Sequence, residues 1–514
     1  MVIKYKNPII RGMRPDPSVV RVNNRYYLAN STFEYYPGIT ISTSDDLLNW
    51  KTLGGVAVEP EQADLRKSKS NEGIFAANIR FHDEYFYVIT TNFAEFKTFI
   101  IRGKLENGDI SWEKSRIEVE VPGIDPDLFF EDGKTYVQFT GYIDDKGTKA
   151  IRQVEIDLET GKILDGPKIL TYGTGGRDVE GPHIFKKDGL YYLLVAEGGT
   201  GSGHMITIFR SNDLWGPYES DEQNPIFTNR DRANEVVQNV GHGDLFTDEK
   251  ENWWLVCLGT RPASVGFKQI TNLGRETLLY PVKWKDGWPI VNNGVPSEFV
   301  DLNDFPEHAA ALKNEQNFVE FQDNFEEAEL DPEWLTLRDS LKDHLLIKNG
   351  KLTLRGNEYS LSDLKTPAFV GLRQSETHEK LIVEIDQTDS ELNHGEFGLA
   401  SVIDADNHIA IMVKQNNDHF EIYRDQQIFD VRINEKIGES SSFPAKFELL
   451  NTKEIKRFSV TDSKGQEVIF TTDAIHLSNE AIAALNTGDI EGMYVKNNAN
   501  MVIDKVTKKV KLDA

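Results

Sequence analysis

Four residues able to move protons recur in similar surroundings along this chain. They are Asp16 in RPDPSVV, Asp125 in GIDPDLF, Glu180 in VEGPHIF and His242 in GHGDLF. A single Asp between prolines is most often a turn residue. Three carboxyl groups brought to one place are harder to explain by turns, because like charges raise one another's free energy and force at least one carboxyl to hold its proton. Two carboxyls flanking a bond can hydrolyse a glycoside, one protonating the leaving oxygen and the other acting on water or the anomeric carbon. A third can keep the acid protonated and orient it.

The elements around these residues say whether they converge. A short strand, a polar turn and an aromatic-rich second strand appear five times: VNNRYYLAN from Val22, FHDEYFYVIT from Phe81, FEDGKTYVQFT from Phe130, FKKDGLYYLLVA from Phe185 and TDEKENWWLVCL from Thr247. Each has the pattern of a β-hairpin. Copies about 50 to 60 residues apart predict a five-bladed β-propeller over residues 1–300. Twelve residues before Leu28 lies Asp16, and the same count from Val137 reaches Asp125. From Leu193 it reaches Gly181, next to Glu180; from Val88 it reaches Ala76, beside Phe75; in the fifth copy the region holds His242. Equivalent blade positions ring the central axis, so these residues are expected to meet there.

The 514 residues exceed what one ordinary core accommodates, and two or three domains are expected. The formal net charge of −26 argues against nucleic-acid or anionic-membrane partners and fits a neutral ligand. Cys257, the one cysteine, lies in WWLVCL and is expected to be a buried thiol. No apolar run reaches a membrane span, and MVIKYKNPII lacks the pattern of a secretion signal, so a cytoplasmic protein is expected.

The segments NPIIRGMRPDPSVV, STFEYYPGITISTSDDLLNW, GIDPDLFF, VEGPHIFKKDGLYYLLVAEGGT, GPYESDEQNPI, GHGDLF and LGRETLL, in that order, resemble the catalytic domain of glycoside hydrolase family 43. The resemblance implies an inverting five-bladed propeller. It implies Asp16 as general base, Glu180 as general acid and Asp125 as the residue that modulates and orients the acid, with Asp127 as rival for that last role. It further implies Arg275 reaching the site from the last blade, Phe33 and Phe75 as walls for a sugar ring, and His242 near the axis beside water or a calcium ion. No cofactor is required. Phe75 stands where many relatives carry tryptophan, which predicts a smaller pocket floor.

Residues 301–318, around DLNDFPEHAAALKNEQ, read as a linker. Residues 319–514 alternate with period two, as in KLTLRG, KLIVEIDQ and HIAIMVKQ, and predict a β-sandwich of jelly-roll or concanavalin-like type. Phrases such as PAFVGLRQ resemble the C-terminal sandwich of family xylosidases and arabinofuranosidases, which narrows the active-site mouth; here the late segment NTGDIEGMYV offers Ile490. The resemblance thus points to an exo-acting enzyme releasing terminal α-L-arabinofuranosyl residues from short oligosaccharides. β-Xylosidase or dual activity is the second reading and a non-catalytic sugar-binding propeller the third. A homo-oligomer is compatible with the sequence, which does not specify one.

Overall fold

Short strands rich in β-branched and aromatic residues, broken by Asp, Asn and Gly turns, give almost no helix and nine β-sheets among the described residues. In the computed structural model, residues 3–314, 320–483 and 486–510 are described. Five sheets are the propeller blades, whose inner strands are Ser18–Val22, Asn78–His82, Gly123–Glu131, Glu180–Lys187 and Gln238–Thr247. Each inner strand packs against the next and the fifth against the first, so the ring is closed. The N-terminal strand Lys4–Lys6 pairs antiparallel with Phe299–Asp301 and laces the two ends together. Asn7 adds a two-way bond to the Leu279 backbone, accepting at 3.0 Å and donating at 2.9 Å. Cys257 is fully buried in the core of the last blade, and burial raises its thiol pKa.

The twelve-residue register has a structural cause. Val19, Ile79, Leu128, Ile184 and Leu245 pair with Leu28, Val88, Val137, Leu193 and Leu255 on the neighbouring strands. Three residues before each inner-strand partner lie Asp16, Ala76, Asp125, Gly181 and His242. Four of these five adopt left-handed backbone: Asp16 at φ 50°, Asp125 at 51°, Gly181 at 59° and His242 at 43°. The inner strands of blades three, four and five show register shifts there. Such a bulge bends the strand end and re-aims its side chain, here toward the axis. The fifth hairpin turns through five residues, 248–252, where the other four use two, so Leu255 follows its partner Leu245 by ten residues instead of nine and its count falls one residue from His242.

One layer further along the axis sit Ser18, Asn78, Asp127, His183 and Asp244, all buried. Arg80 gathers four of them. Its Nη1 donates to Ser18 Oγ at 3.1 Å and Asp244 Oδ2 at 2.8 Å. Its Nη2 donates to Asp127 Oδ2 at 2.6 Å and lies 3.0 Å from His183 Nδ1. Asp127 is therefore committed to the axial plug, which removes it as a rival to Asp125.

The second domain is a sandwich of two 8-stranded sheets. One of them is completed by the propeller: Tyr35–Tyr36 pairs with Leu335–Leu337 as an edge strand. Tyr35 is buried among Leu337, Phe369, Val402 and Ile490, and its hydroxyl donates to the carbonyl of Ile403 at 3.0 Å. The segment STFEYYPG thus serves two purposes, with Phe33 at the pocket and Tyr35 in the domain interface. Within the segment expected to be a linker, Phe305 and Ala311 pack into the last-blade core rather than standing free.

Candidate active site

The starts of three inner strands bring Asp16, Asp125 and Glu180 into one pocket of about 280 Å³. Phe33, Phe75, Phe93, Tyr142, Lys149, Asp178, Thr200, His242, Arg275 and Asn486 share its lining. Asp16 Oδ1 accepts from Arg275 Nη1 at 2.9 Å, and Asp16 Oδ2 accepts from Ser31 Oγ at 3.1 Å. Arg275 also donates to Thr200 Oγ1 at 3.2 Å, and its guanidinium lies 5.4 Å from the Phe33 ring centre. These bonds orient the Asp16 carboxyl in the pocket.

Asp125 is buried, and its Oδ2 accepts from the Gly181 N–H at 3.2 Å. Burial, then the charges of Glu180 and Asp16, push its pKa well above the usual carboxylate range. Burial also raises Glu180, while Lys149 opposes the rise. Lys149 Nζ lies 3.1 Å from Glu180 Oε2 and 3.1 Å from Asp178 Oδ1. Two carboxyls with raised pKa beside one bonded to an arginine is an arrangement suited to acid–base chemistry.

Glycine at 181 is required twice over. Its φ is left-handed, and a Cβ there would lie 3.0–3.2 Å from three atoms of the His242 ring. The loop leading to Glu180 is held by buried Glu197, which accepts from the N–H groups of Thr174 at 2.9 Å and Gly176 at 3.0 Å.

The floor is aromatic. Phe75 stacks on Phe93 with ring centres 4.5 Å apart and meets Phe33 edge-on at 5.6 Å. Phe93 was not expected from the sequence; it occupies space beside Phe75.

Protein side chains alone do not build a calcium site at His242, whose Nε2 is buried without a hydrogen-bond partner among the described residues. Burial lowers its pKa to about 4, so the ring is neutral. Its Nδ1 lies 3.7 Å from Asp16 Oδ1, an oxygen already bonded to Arg275. The other axial carboxylates, Asp127 and Asp244, are bound by Arg80. The six to eight oxygens calcium takes are not assembled there. Among the described residues one acid–histidine group has metal-like spacing: Asp248, Glu307 and His308. Asp248 already accepts from Asn252, Trp254 and the backbone and lies 2.9 Å from His308 Nε2, which makes it a hydrogen-bonded hub.

The second domain reaches the pocket through Asn486, not Ile490. Ile490 is fully buried in the sandwich core. Asn486 O accepts from Arg275 Nη2 at 3.3 Å, and its side chain donates to the Asn71 carbonyl at 3.4 Å. Gly488 makes this approach feasible: a Cβ there would stand 2.7 Å from the Gly274 nitrogen and the Leu273 carbonyl oxygen. Lys149, Asp178, Thr200, Tyr142 and Asn486 were not found by sequence reasoning. Asp178, two places before Glu180 in RDVEGPH, carried a local signal; Lys149 and Asn486 carried none.

Comparison with known proteins agrees with this geometry. The profile described as "Glycosyl hydrolases family 43" matches residues 5–289, and "Beta xylosidase C-terminal Concanavalin A-like domain" matches residues 322–503. A Bacteroides ovatus protein named "Non-reducing end alpha-L-arabinofuranosidase BoGH43B" is 32% identical over 510 residues, covering 96% of this chain and 92% of that one. A Butyrivibrio fibrisolvens "Xylosidase/arabinosidase" is 38% identical over 385 residues, 72% of each chain. A Bacillus subtilis "Beta-xylosidase" is 32% identical over 73% of each chain. The solved structure "Bacteroides ovatus Xyloglucan PUL GH43B" superposes with a TM-score of 0.87 at 30% identity, covering 99% of this chain and all of that one.

Proposed function

The chain belongs to glycoside hydrolase family 43, and from that premise we propose that it is an exo-acting, inverting enzyme that releases terminal α-L-arabinofuranosyl residues from arabino- or arabinoxylo-oligosaccharides. The observation that carries this reading is the convergence of Asp16, Asp125 and Glu180 in one compact pocket. Its volume lies just below the range of ordinary ligand sites and suits a terminal sugar ring rather than a long chain.

In this reading Asp16, held by Arg275 and Ser31, takes the proton of a water whose oxygen bonds to the anomeric carbon. As the glycosidic bond breaks, its electron pair goes to the leaving oxygen, which receives the proton of Glu180. Asp125 keeps the site's acid balance by holding a proton of its own between two carboxyls. Chemistry of this kind needs no cofactor. β-Xylosidase activity is the second reading, supported by relatives whose names carry that activity.

The test is hydrolysis of 4-nitrophenyl α-L-arabinofuranoside and 4-nitrophenyl β-D-xyloside side by side, with proton NMR of the first-formed anomer. Faster cleavage of the arabinoside with inversion is expected, and Asp16→Ala should abolish it. Faster cleavage of the xyloside selects the second reading. Silence on both substrates, or mid-chain products appearing first from arabinan, overturns the proposal.

A further inference from the structure

Glu180 is not alone at the leaving-group side of the pocket. Lys149 opens the third strand of blade three, directly opposite Tyr142, and is largely buried at 15% side-chain exposure. Its ammonium is shared between Glu180 Oε2 and Asp178 Oδ1, both at 3.1 Å. Asp178 is held in turn by Arg177 Nε at 2.6 Å, and its backbone is left-handed at φ 53°. Lys149 is thus a cation shared between the Asp178 carboxyl and the carboxyl that must gain and lose a proton.

We propose that Lys149 is a positioning residue for the general acid: it holds Glu180 by one oxygen and stabilises the carboxylate that forms as the proton leaves. The inference rests on Glu180 being the acid. When Glu180 carries its proton, Lys149 stays with Asp178. When the glycosidic C–O bond breaks and the leaving oxygen takes that proton, the new Glu180 carboxylate regains the ammonium. The same contact makes Glu180 a stronger acid than its burial alone would allow. Burial works against the charge on Lys149, but Glu180 and Asp178 outweigh it and raise its pKa, so it stays charged throughout. The other groups facing Glu180 are Asp125, Asp16, Asp178 and, beyond them, Arg275 and neutral His242.

The experiment compares Lys149→Met, Lys149→Arg and Glu180→Gln with the parent enzyme over a pH series. The substrates are 4-nitrophenyl α-L-arabinofuranoside, whose leaving group departs with little protonation, and methyl α-L-arabinofuranoside, whose leaving group requires it; the xylosides replace them if the enzyme prefers xylose. Removing the cation raises the Glu180 pKa, so the alkaline limb of kcat/KM on the methyl glycoside should move up by about one pH unit in Lys149→Met. Turnover of that substrate at neutral pH should fall roughly 10- to 100-fold, and of the nitrophenyl substrate much less. Lys149→Arg should restore the limb. If Lys149→Met slows both substrates equally and leaves the limb in place, the lysine is merely structural and the inference fails. If Glu180→Gln slows both equally, the acid assignment itself fails, and the two failures are thereby distinguished.

Discussion

Replacing Arg80 with methionine tests the axial ring from which the catalytic positions hang. The side chain is 17% exposed, while Asp127 and Asp244 are 0% and 4% exposed and both bond to it. Methionine fills similar space but leaves two carboxylates and His183 without their cation. Removing one partner of a buried ion pair costs about 3–5 kcal/mol, chiefly by stranding the other charge. For a domain of this size that corresponds to a fall in Tm of roughly 6–15 °C. The pH dependence has a definite sign. In the native protein burial would raise the Asp244 carboxyl, but Arg80 and His183 together hold it below its ordinary value. Its contribution is therefore present above the unfolded value and is lost only as pH falls through the lower, folded one. In the variant burial is opposed by His183 and the Val19 N–H without Arg80, so the carboxyl moves up, and the penalty applies above that raised value. The Tm gap between variant and parent should therefore narrow as pH drops from 7 to 5. Differential scanning calorimetry at several pH values measures it. A variant melting within about 2 °C of the parent at pH 7, or a gap that does not change with pH, would refute the account of Arg80 as the cation that neutralises the axis.

Two further substitutions probe the domain interface. Gly488→Ala places a methyl 2.7 Å from the Gly274 nitrogen and Leu273 oxygen, so the Asn486 segment must shift away from Arg275; kcat/KM should fall by about 10-fold or more while each domain keeps its fold by circular dichroism. Lys456→Met strands Asp489 and Glu491, which are 0% and 2% exposed, and should lower the Tm of the sandwich at pH 7. The loss should lessen below about pH 6, the value to which burial already raises Asp489 with the lysine present, because protonation removes the stranded charge.

The catalytic acids were legible because a propeller converts sequence spacing into position. The hairpins at Val22, Phe81, Phe130, Phe185 and Thr247 repeat one pattern, and left-handed backbone recurs three residues before the inner-strand partner in four of the five blades. Counting back from Leu28, Val137 and Leu193 therefore found Asp16, Asp125 and the neighbour of Glu180. The same repetition left Asp127 ambiguous. A residue two places along an inner strand lies one layer deeper, and only the arginine of another blade, Arg80, shows that it belongs to the plug. The two layers are chemically similar and differ in what neutralises them: in the deeper one a guanidinium, in the outer one a proton on Asp125 and the ion pair between Arg275 and Asp16.

What stayed hidden had no repeat to follow. Lys149 starts a third strand, a part of the blade the repeat count did not read, and its meaning depends on Asp178 standing opposite in a loop of the next blade. Asn486 comes from another domain, 211 residues from the Arg275 it contacts. Its approach depends on two glycines, Gly274 and Gly488, meeting backbone to backbone. STFEYYPG shows the same limit from the other side. Phe33 reads there as a sugar wall, but nothing in the segment marks Tyr35 as the residue that joins the sandwich sheet. The interface and the pocket are therefore joined through one short segment. Phe33 lies under the arginine that holds the base, and two residues later Tyr35 anchors the domain whose Asn486 caps that arginine. Loosening the sandwich should thus reach Asp16 from both sides of Arg275, which makes the second domain part of the site's geometry as well as a cover over its mouth.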